Sequence, residues 1–196
     1  MDHLSSAAIG RAVARTTGRA PRAPVTHQAR ARHKVIGMTA VRVEALDPTD
    51  ERSQQAITTF LSEMVEIVGA DVLEIDVAQE AREDAGNNFF LVALDDRDNV
   101  VGCGSLRQVA PKIGQIRRMW VNPVLRGLGI GRRLLSALEG AGAVAGFEVI
   151  RCEVYDNLNQ AILLFETSGY QRVEPFEVSP PDLRAYQKQI FVSQEP

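Results

Sequence analysis

A glycine-rich segment between a predicted strand and a predicted helix constrains this chain most strongly. Arg126-Gly-Leu-Gly-Ile-Gly131 follows an apolar run that ends at Val121 and precedes an amphipathic stretch that continues to about residue 145. Glycine lets the backbone approach an anion closely and leaves its N–H groups unobstructed. The N-terminus of the following helix adds about half a positive charge. The segment therefore predicts a phosphate-binding loop.

This loop differs from two common nucleotide-binding motifs. No Gly-Lys-Ser/Thr sequence follows, as a P-loop requires, and the glycine spacing is not the G-x-G-x-x-G of a dinucleotide-binding fold. Taken alone, the segment is also compatible with an ordinary glycine-rich turn. The sequence around it decides between the two interpretations.

The hydrophobic pattern predicts a single α/β domain over residues 38–196. Apolar alternation and turn residues predict strands at 41–46, 89–94, 100–106, 114–121, 148–155, 171–174 and 185–192. Helical periodicity predicts helices at 51–68 with Asp50 as the N-cap, at 77–84, from the glycine loop to about 145, and at 159–168. Strands followed by alternating helices and strands indicate a mixed sheet.

The first 37 residues differ sharply from this domain. They carry seven basic residues and one acid, with few large apolar side chains, so we expect a disordered tail. The remaining residues hold 15 basic and 24 acidic side chains. This acidic balance argues against nucleic acid as the main partner, because binding to the phosphate backbone needs clustered positive charge.

Composition also excludes several kinds of catalytic site. All three histidines lie in the first 37 residues, so the domain has no histidine for a Ser-His-Asp triad or a histidine metal site. The two cysteines, Cys103 and Cys152, lie in apolar runs and are expected in the core, with no disulfide framework. No stretch reaches the roughly 20 apolar residues of a membrane span, so a cytoplasmic protein is predicted.

Two blocks of sequence resemble one known superfamily. Trp120-Val-Asn-Pro-x-x-Arg-Gly-x-Gly-x-Gly131-x-x-Leu-Leu135 is similar to the pyrophosphate-binding motif of the GNAT (GCN5-related N-acetyltransferase) superfamily. Ala161-Ile-Leu-Leu-Phe-Glu-Thr-Ser-Gly-Tyr170 is similar to its second block. The resemblance covers about residues 39–193 and is closest to bacterial single-domain members.

This resemblance implies a fold and a cosubstrate. The fold would be a mostly antiparallel mixed sheet of six to seven strands with flanking helices. A V-shaped cleft would open between the two central strands and receive the pantetheine arm of acetyl-CoA, with no metal. The implied coenzyme contacts are Met119, Trp120, Val121, Arg126, Gly127, Leu128, Gly129, Ile130, Gly131, Arg132, Asn159 and Phe165. The implied partner is an amine on a small molecule or a protein, and dimers are common in the superfamily.

The chain departs from the resembled pattern at two positions. Many relatives have a glutamate base where this chain has Gln115, and a tyrosine acid where it has Phe165. The remaining candidate bases are Glu153 and Asp156, although Glu153 is also placed to pair with Arg151 or Arg117. The candidate acids are Tyr155 and Tyr170, of which Tyr170 is more typical of a core residue.

The departures leave two functions open. The first is an N-acetyltransferase, and the second is an acyl-CoA-binding module with little or no catalysis. Residues 44–84 hold 12 acids against two arginines, which would attract a cationic amine if they border the acceptor pocket. The same acids also fit a solvated helical surface.

Overall fold

A computed structural model of the chain describes residues 41–69, 88–176 and 182–190. Within these ranges the strands are β1 (Arg42–Ala45), β2 (Phe89–Leu94), β3 (Val100–Ala110), β4 (Ile113–Val121), β5 (Val149–Tyr155), β6 (Gln171–Val173) and β7 (Leu183–Gln189). The helices are α1 (Glu51–Val68), α2 (Ile130–Val144) and α3 (Asn159–Thr167), and a 3₁₀ turn spans Pro123–Leu125. The predicted tail at 1–37 and the predicted helix at 77–84 lie outside the described residues.

The described strands form one seven-stranded sheet in the order β1-β2-β3-β4-β5-β7-β6. Every neighbouring pair is antiparallel except β4 and β5, which run parallel. A parallel pair needs a crossover connection, and here α2 supplies it between the two strands. The predicted mixed α/β fold is confirmed.

Helix α1 forms where its capping residue and apolar stripe predicted it. Asp50 is the N-cap, and its Oδ1 accepts a hydrogen bond from the Arg52 amide at 2.9 Å. Gly69, at φ 110°, ends the helix. Ala56 and Ile57 are buried against β2, β3 and β4 on one face of the sheet.

Helix α2 packs on a larger core cluster that also includes α3 and the apolar side chains of β5. Leu134 and Leu138 are fully buried there. Gly114 of β4 faces this core, and a Cβ at that position would lie 2.7 Å from Cδ2 of Phe147. Close packing of this kind fixes how the connection from α2 to β5 lies against β4.

Both cysteines are buried, as predicted: Cys103 lies on the α1 side of the sheet and Cys152 in the α2 core. Among the described helices, none is long and apolar enough to cross a bilayer.

Candidate active site

The two parallel strands separate part of the way along their length. They pair from Ile113 opposite Val149 to Ile116 opposite Cys152, and the described strands form no β4–β5 pair beyond that point. On either side the sheet continues, because Trp120 still pairs with β3 and Tyr155 still pairs with β7. The sheet therefore opens between residues 117–121 and residues 153–155, which is the V-shaped cleft that the resemblance implied.

A β-bulge in β4 lies at this opening. Cys103 pairs with Trp120 whereas Ser105 pairs with Arg117, so Arg118 and Met119 together stand opposite one residue of β3. Arg118 adopts a φ of 53°, which is uncommon outside glycine. A bulge bends its strand and re-aims the backbone groups that follow. The backbone of Met119 and Val121 consequently borders the cleft.

The glycine loop lies between β4 and α2, as predicted, and two of its glycines adopt a left-handed conformation. Gly127 and Gly129 have φ values of 80° and 81°, in the left-handed region that favours glycine. Apart from the glycine itself and its two chain neighbours, no atom of the described residues lies within 4 Å of where a Cβ would stand on either residue. Leu128 between them is 61% exposed, whereas Ile130 is buried and fixes the start of α2 in the core.

The first turn of α2 presents backbone amides that its own helix does not use. Gly129 is the N-cap and, having no side chain, provides no capping hydrogen bond. The amides of Ile130, Gly131 and Arg132 have no partner four residues back within the helix. A Cβ on Gly131 would lie 3.3 Å from Cδ2 of Leu164, so the first turn of α2 packs closely against α3. Such an uncapped, open helix start is suited to a phosphate.

The two arginines predicted near the phosphate lie in different environments. Arg132 is exposed, and one of its guanidinium nitrogens donates to Oγ1 of Thr167 at 3.2 Å. Arg126 is half-buried and forms an ion pair with Glu63 of α1. Its Nε also donates to the carbonyl of Val121 at 2.9 Å. Arg126 is thus bound to the end of β4 and to α1, a role that the motif alone did not indicate.

The Trp120 side chain belongs to the core. It is 7% exposed and packs with Ile57 and Cys103 under α1. Its indole N–H donates to Oε2 of Glu63 at 2.8 Å. The side chain therefore does not line the cleft, and only the Trp120 backbone borders it.

Glu153 lies on β5 where the strands begin to separate. Its Oε2 accepts a hydrogen bond from Nε2 of Gln115 at 3.3 Å. The expected alternative partner Arg151 has its guanidinium 4.4 Å from the centroid of the Phe176 ring. Tyr155 follows on the same face of β5 and is half-buried. Asp156, just beyond the strand, is exposed and forms an ion pair with Arg184 of β7.

The second block supplies one exposed residue and one core residue. Asn159 is exposed at the start of α3. Phe165 is only 4% exposed and meets Tyr170 edge to face, with ring centroids 5.1 Å apart. The Phe165 ring therefore faces the core, and the coenzyme contact that the resemblance implied for this residue stays a prediction. Burial, with a smaller contribution from the nearby Glu139 carboxylate, raises the pKa of Tyr170, which is a core residue and a poor acid.

Sequence reasoning missed Glu63 as a site residue. The acids of this region were interpreted either as a rim for the acceptor or as a solvated helical surface, yet Glu63 turns towards β4 and is shared by Trp120 and Arg126. One signal was present: Glu63 lies on the same helical face as Ala56 and Phe60, where an apolar residue would be usual.

Comparisons with known proteins identify the family of this chain. The family described as "Acetyltransferase (GNAT) family" matches residues 54–170. A relative named IAA acetyltransferase, from Azospirillum brasilense, is 35% identical over 94 residues, which are 47% of this chain and 61% of the relative. The chain thus matches less than two thirds of that relative's length.

Two solved structures share the fold. A GNAT-family acetyltransferase from Staphylococcus aureus has a TM-score of 0.65 at 16% identity, over 76% of this chain and 99% of its own. A GCN5-related N-acetyltransferase from Kribbella flavida has a TM-score of 0.59 at 18% identity, over 77% and 98%. Because the family match spans more than half of the chain, this protein belongs to the acetyltransferase (GNAT) family.

Proposed function

We propose that the protein transfers the acetyl group of acetyl-CoA directly to a primary amine of a small molecule or a protein. The observation that carries the proposal is the opening between β4 and β5 beside the uncapped first turn of α2. An extended pantetheine arm fits an unpaired strand edge, and a diphosphate fits free helix amides. A cytoplasmic location is part of the proposal.

The coenzyme contacts follow from the placement of these backbone groups. The backbone of Met119 and Val121 would pair with the pantetheine as an added strand does. The amides from Gly127 to Arg132 would surround the diphosphate, with Leu128 and the Arg132 guanidinium at its exposed side. Asn159 would border the other wall at the start of α3. Acetyl-CoA supplies the acetyl group as a thioester.

The amine must lose a proton before it can react. An alkylammonium with a pKa near 10.4 is about 4.6 kcal/mol short of its neutral form at pH 7. Glu153 is the proposed base, since its carboxylate lies where the strands separate and Gln115 orients it. Asp156 is the second choice because Arg184 already binds it. Tyr155 is the proposed acid for the leaving thiolate.

A backbone amide of β4 completes the proposed chemistry. The bulge at Arg118 and Met119 interrupts the regular β3 ladder, and the N–H groups of this stretch are the proposed donors. An N–H aimed at the thioester oxygen would stabilise the negative charge that develops there during transfer. A buried donor of this kind contributes more than one in water.

Release of free CoA thiol from acetyl-CoA, measured against a panel of primary amines, tests this function. We expect amine-dependent release above the hydrolysis background, together with an acetylated amine detected by mass. A protein that binds acetyl-CoA yet acetylates no amine in single-turnover conditions would contradict direct transfer to an amine.

A further inference from the structure

The carboxylate of Glu63 joins α1 to the open end of β4. Its Oε2 accepts the indole N–H of Trp120 at 2.8 Å, and its Oε1 forms the ion pair with Arg126. Arg126 in turn donates from Nε to the carbonyl of Val121 at 2.9 Å. One acidic side chain thus fixes the last two residues of β4, one through its indole and one through its carbonyl.

These contacts are partly shielded from water. The side chains of Glu63 and Arg126 are 20% and 32% exposed, and Trp120 is 7% exposed. Ion pairs in such surroundings are screened by salt much less than surface pairs. A buried indole N–H also needs an acceptor, and Glu63 provides it. These contacts therefore hold the Arg126 side chain in one defined position.

The next turn of α1 contacts the other side of the opening. Nδ2 of Asn157, between β5 and α3, donates to the carbonyl of Ile67 at 3.3 Å. Ile67 lies about one helical turn after Glu63. The last turns of α1 consequently bind the connections that follow both separating strands.

From these contacts we infer that Glu63 is a positioning residue for coenzyme binding, an inference that rests on the proposed function. Glu63 holds Arg126, Arg126 holds the Val121 carbonyl, and the glycine loop begins at the next residue. The strand edge and the loop amides are thereby oriented before the coenzyme arrives. Preorganisation of this kind strengthens binding by reducing the ordering cost. In this inference Arg126 positions the backbone of β4 at Val121, and the amides of the glycine loop bind the diphosphate.

The main test compares Glu63→Gln with Glu66→Gln. Glu66 lies on the same helix, is exposed and undergoes the same loss of charge, so it is a matched control. Titration calorimetry measures the acetyl-CoA Kd, and steady-state kinetics separate KM from kcat. We expect Glu63→Gln to raise Kd and KM for acetyl-CoA roughly tenfold while kcat changes less than twofold, since each tenfold corresponds to about 1.4 kcal/mol of binding. Glu66→Gln should leave Kd and KM within twofold.

Trp120 offers a direct readout of the network, because it is the single tryptophan of the chain. Its emission should shift in Glu63→Gln before any coenzyme is added, and should not shift in Glu66→Gln. This measurement reports on the indole contact independently of activity.

A double-mutant cycle with Arg126→Gln tests whether Glu63 acts through Arg126. If it does, the double variant should bind acetyl-CoA no more weakly than the worse single variant. If Glu63→Gln does not fold, Arg126→Gln is measured in its place, because that substitution removes the other partner of the same ion pair.

Three results would overturn the inference. The first is an acetyl-CoA Kd within twofold of wild type in a folded Glu63→Gln whose tryptophan emission has shifted. The second is a double variant whose loss of affinity equals the product of the single losses. The third is a drop in kcat at constant KM. None of these results contradicts the proposed function. If the wild-type protein binds no acetyl-CoA, both the proposed function and the inference about Glu63 are wrong.

Discussion

Nε2 of Gln115 donates a hydrogen bond to Oε2 of Glu153 at 3.3 Å, across the two parallel strands where they begin to separate. An amide cannot take up a proton usefully at neutral pH, but it orients the carboxylate that accepts its hydrogen bond. The position on β4 where many of the resembled proteins have a glutamate is thus occupied by a donor, and the carboxylate stands on β5.

The first prediction concerns that carboxylate. Glu153→Gln removes the proposed base while keeping the shape of the side chain, so kcat should fall by roughly 10²–10⁴. The acetyl-CoA Kd should stay within about twofold, as calorimetry would show. Glu148→Gln, an exposed acid just before the same strand, is the control and should keep wild-type kcat. An unchanged rate in Glu153→Gln would move the base to Asp156 or to water.

The second prediction concerns the glycine loop. Gly129 has a φ of 81°, and a branched side chain in that region costs about 1–2 kcal/mol while it covers the helix amides. Gly129→Val should therefore raise the acetyl-CoA Kd at least tenfold in a protein that still folds. Gly140→Ala on the same helix meets open space and should leave Kd unchanged. Equal affinities in the two variants would show that the loop does not bind the diphosphate.

The third prediction concerns the missing tyrosine of α3. Because the Phe165 ring is 4% exposed and packed on Tyr170, Phe165→Tyr would place a hydroxyl among apolar groups. We expect no gain in kcat and a loss of about 1–3 kcal/mol in the free energy of unfolding, measured by urea denaturation. A higher kcat at unchanged stability would mean that this position reaches the leaving thiol.

The fourth prediction concerns the two cysteines. Burial raises the pKa of the Cys103 thiol to about 12, and burial together with the nearby Glu153 charge raises the pKa of Cys152. At pH 8 only about one Cys103 in ten thousand is then a thiolate, the reactive form. A thiol reagent should label neither cysteine in the native protein and both after denaturation. Rapid labelling of the native protein would contradict this burial. If the native protein is not labelled, the same reagent in the activity assay reports only the CoA thiol that the reaction releases.

Local sequence was sufficient for the elements and for the loop. The apolar stripe and Asp50 predicted α1, and alternation predicted the strands to within a few residues, because these signals depend on neighbours along the chain. The left-handed conformations at Gly127 and Gly129 were also predictable, since few other residues adopt them. The mostly antiparallel sheet and the cleft came from the resemblance of two sequence blocks, whereas the order of the strands came from the structure.

What only the tertiary structure decided is which side chains meet. Glu63 and Arg126 are 63 positions apart, and Asp156 and Arg184 are 28 apart. Whether such groups pair depends on how α1 and β7 lie on the sheet, which no local pattern encodes. The burial of Phe165 depends likewise on the angle at which α3 packs on the core. The sequence by itself determined the backbone that can hold a phosphate, because glycine conformation is local. The packing of distant elements decided which charged side chains near this loop are paired, as Arg126 is with Glu63, and which are exposed, as Arg132 is.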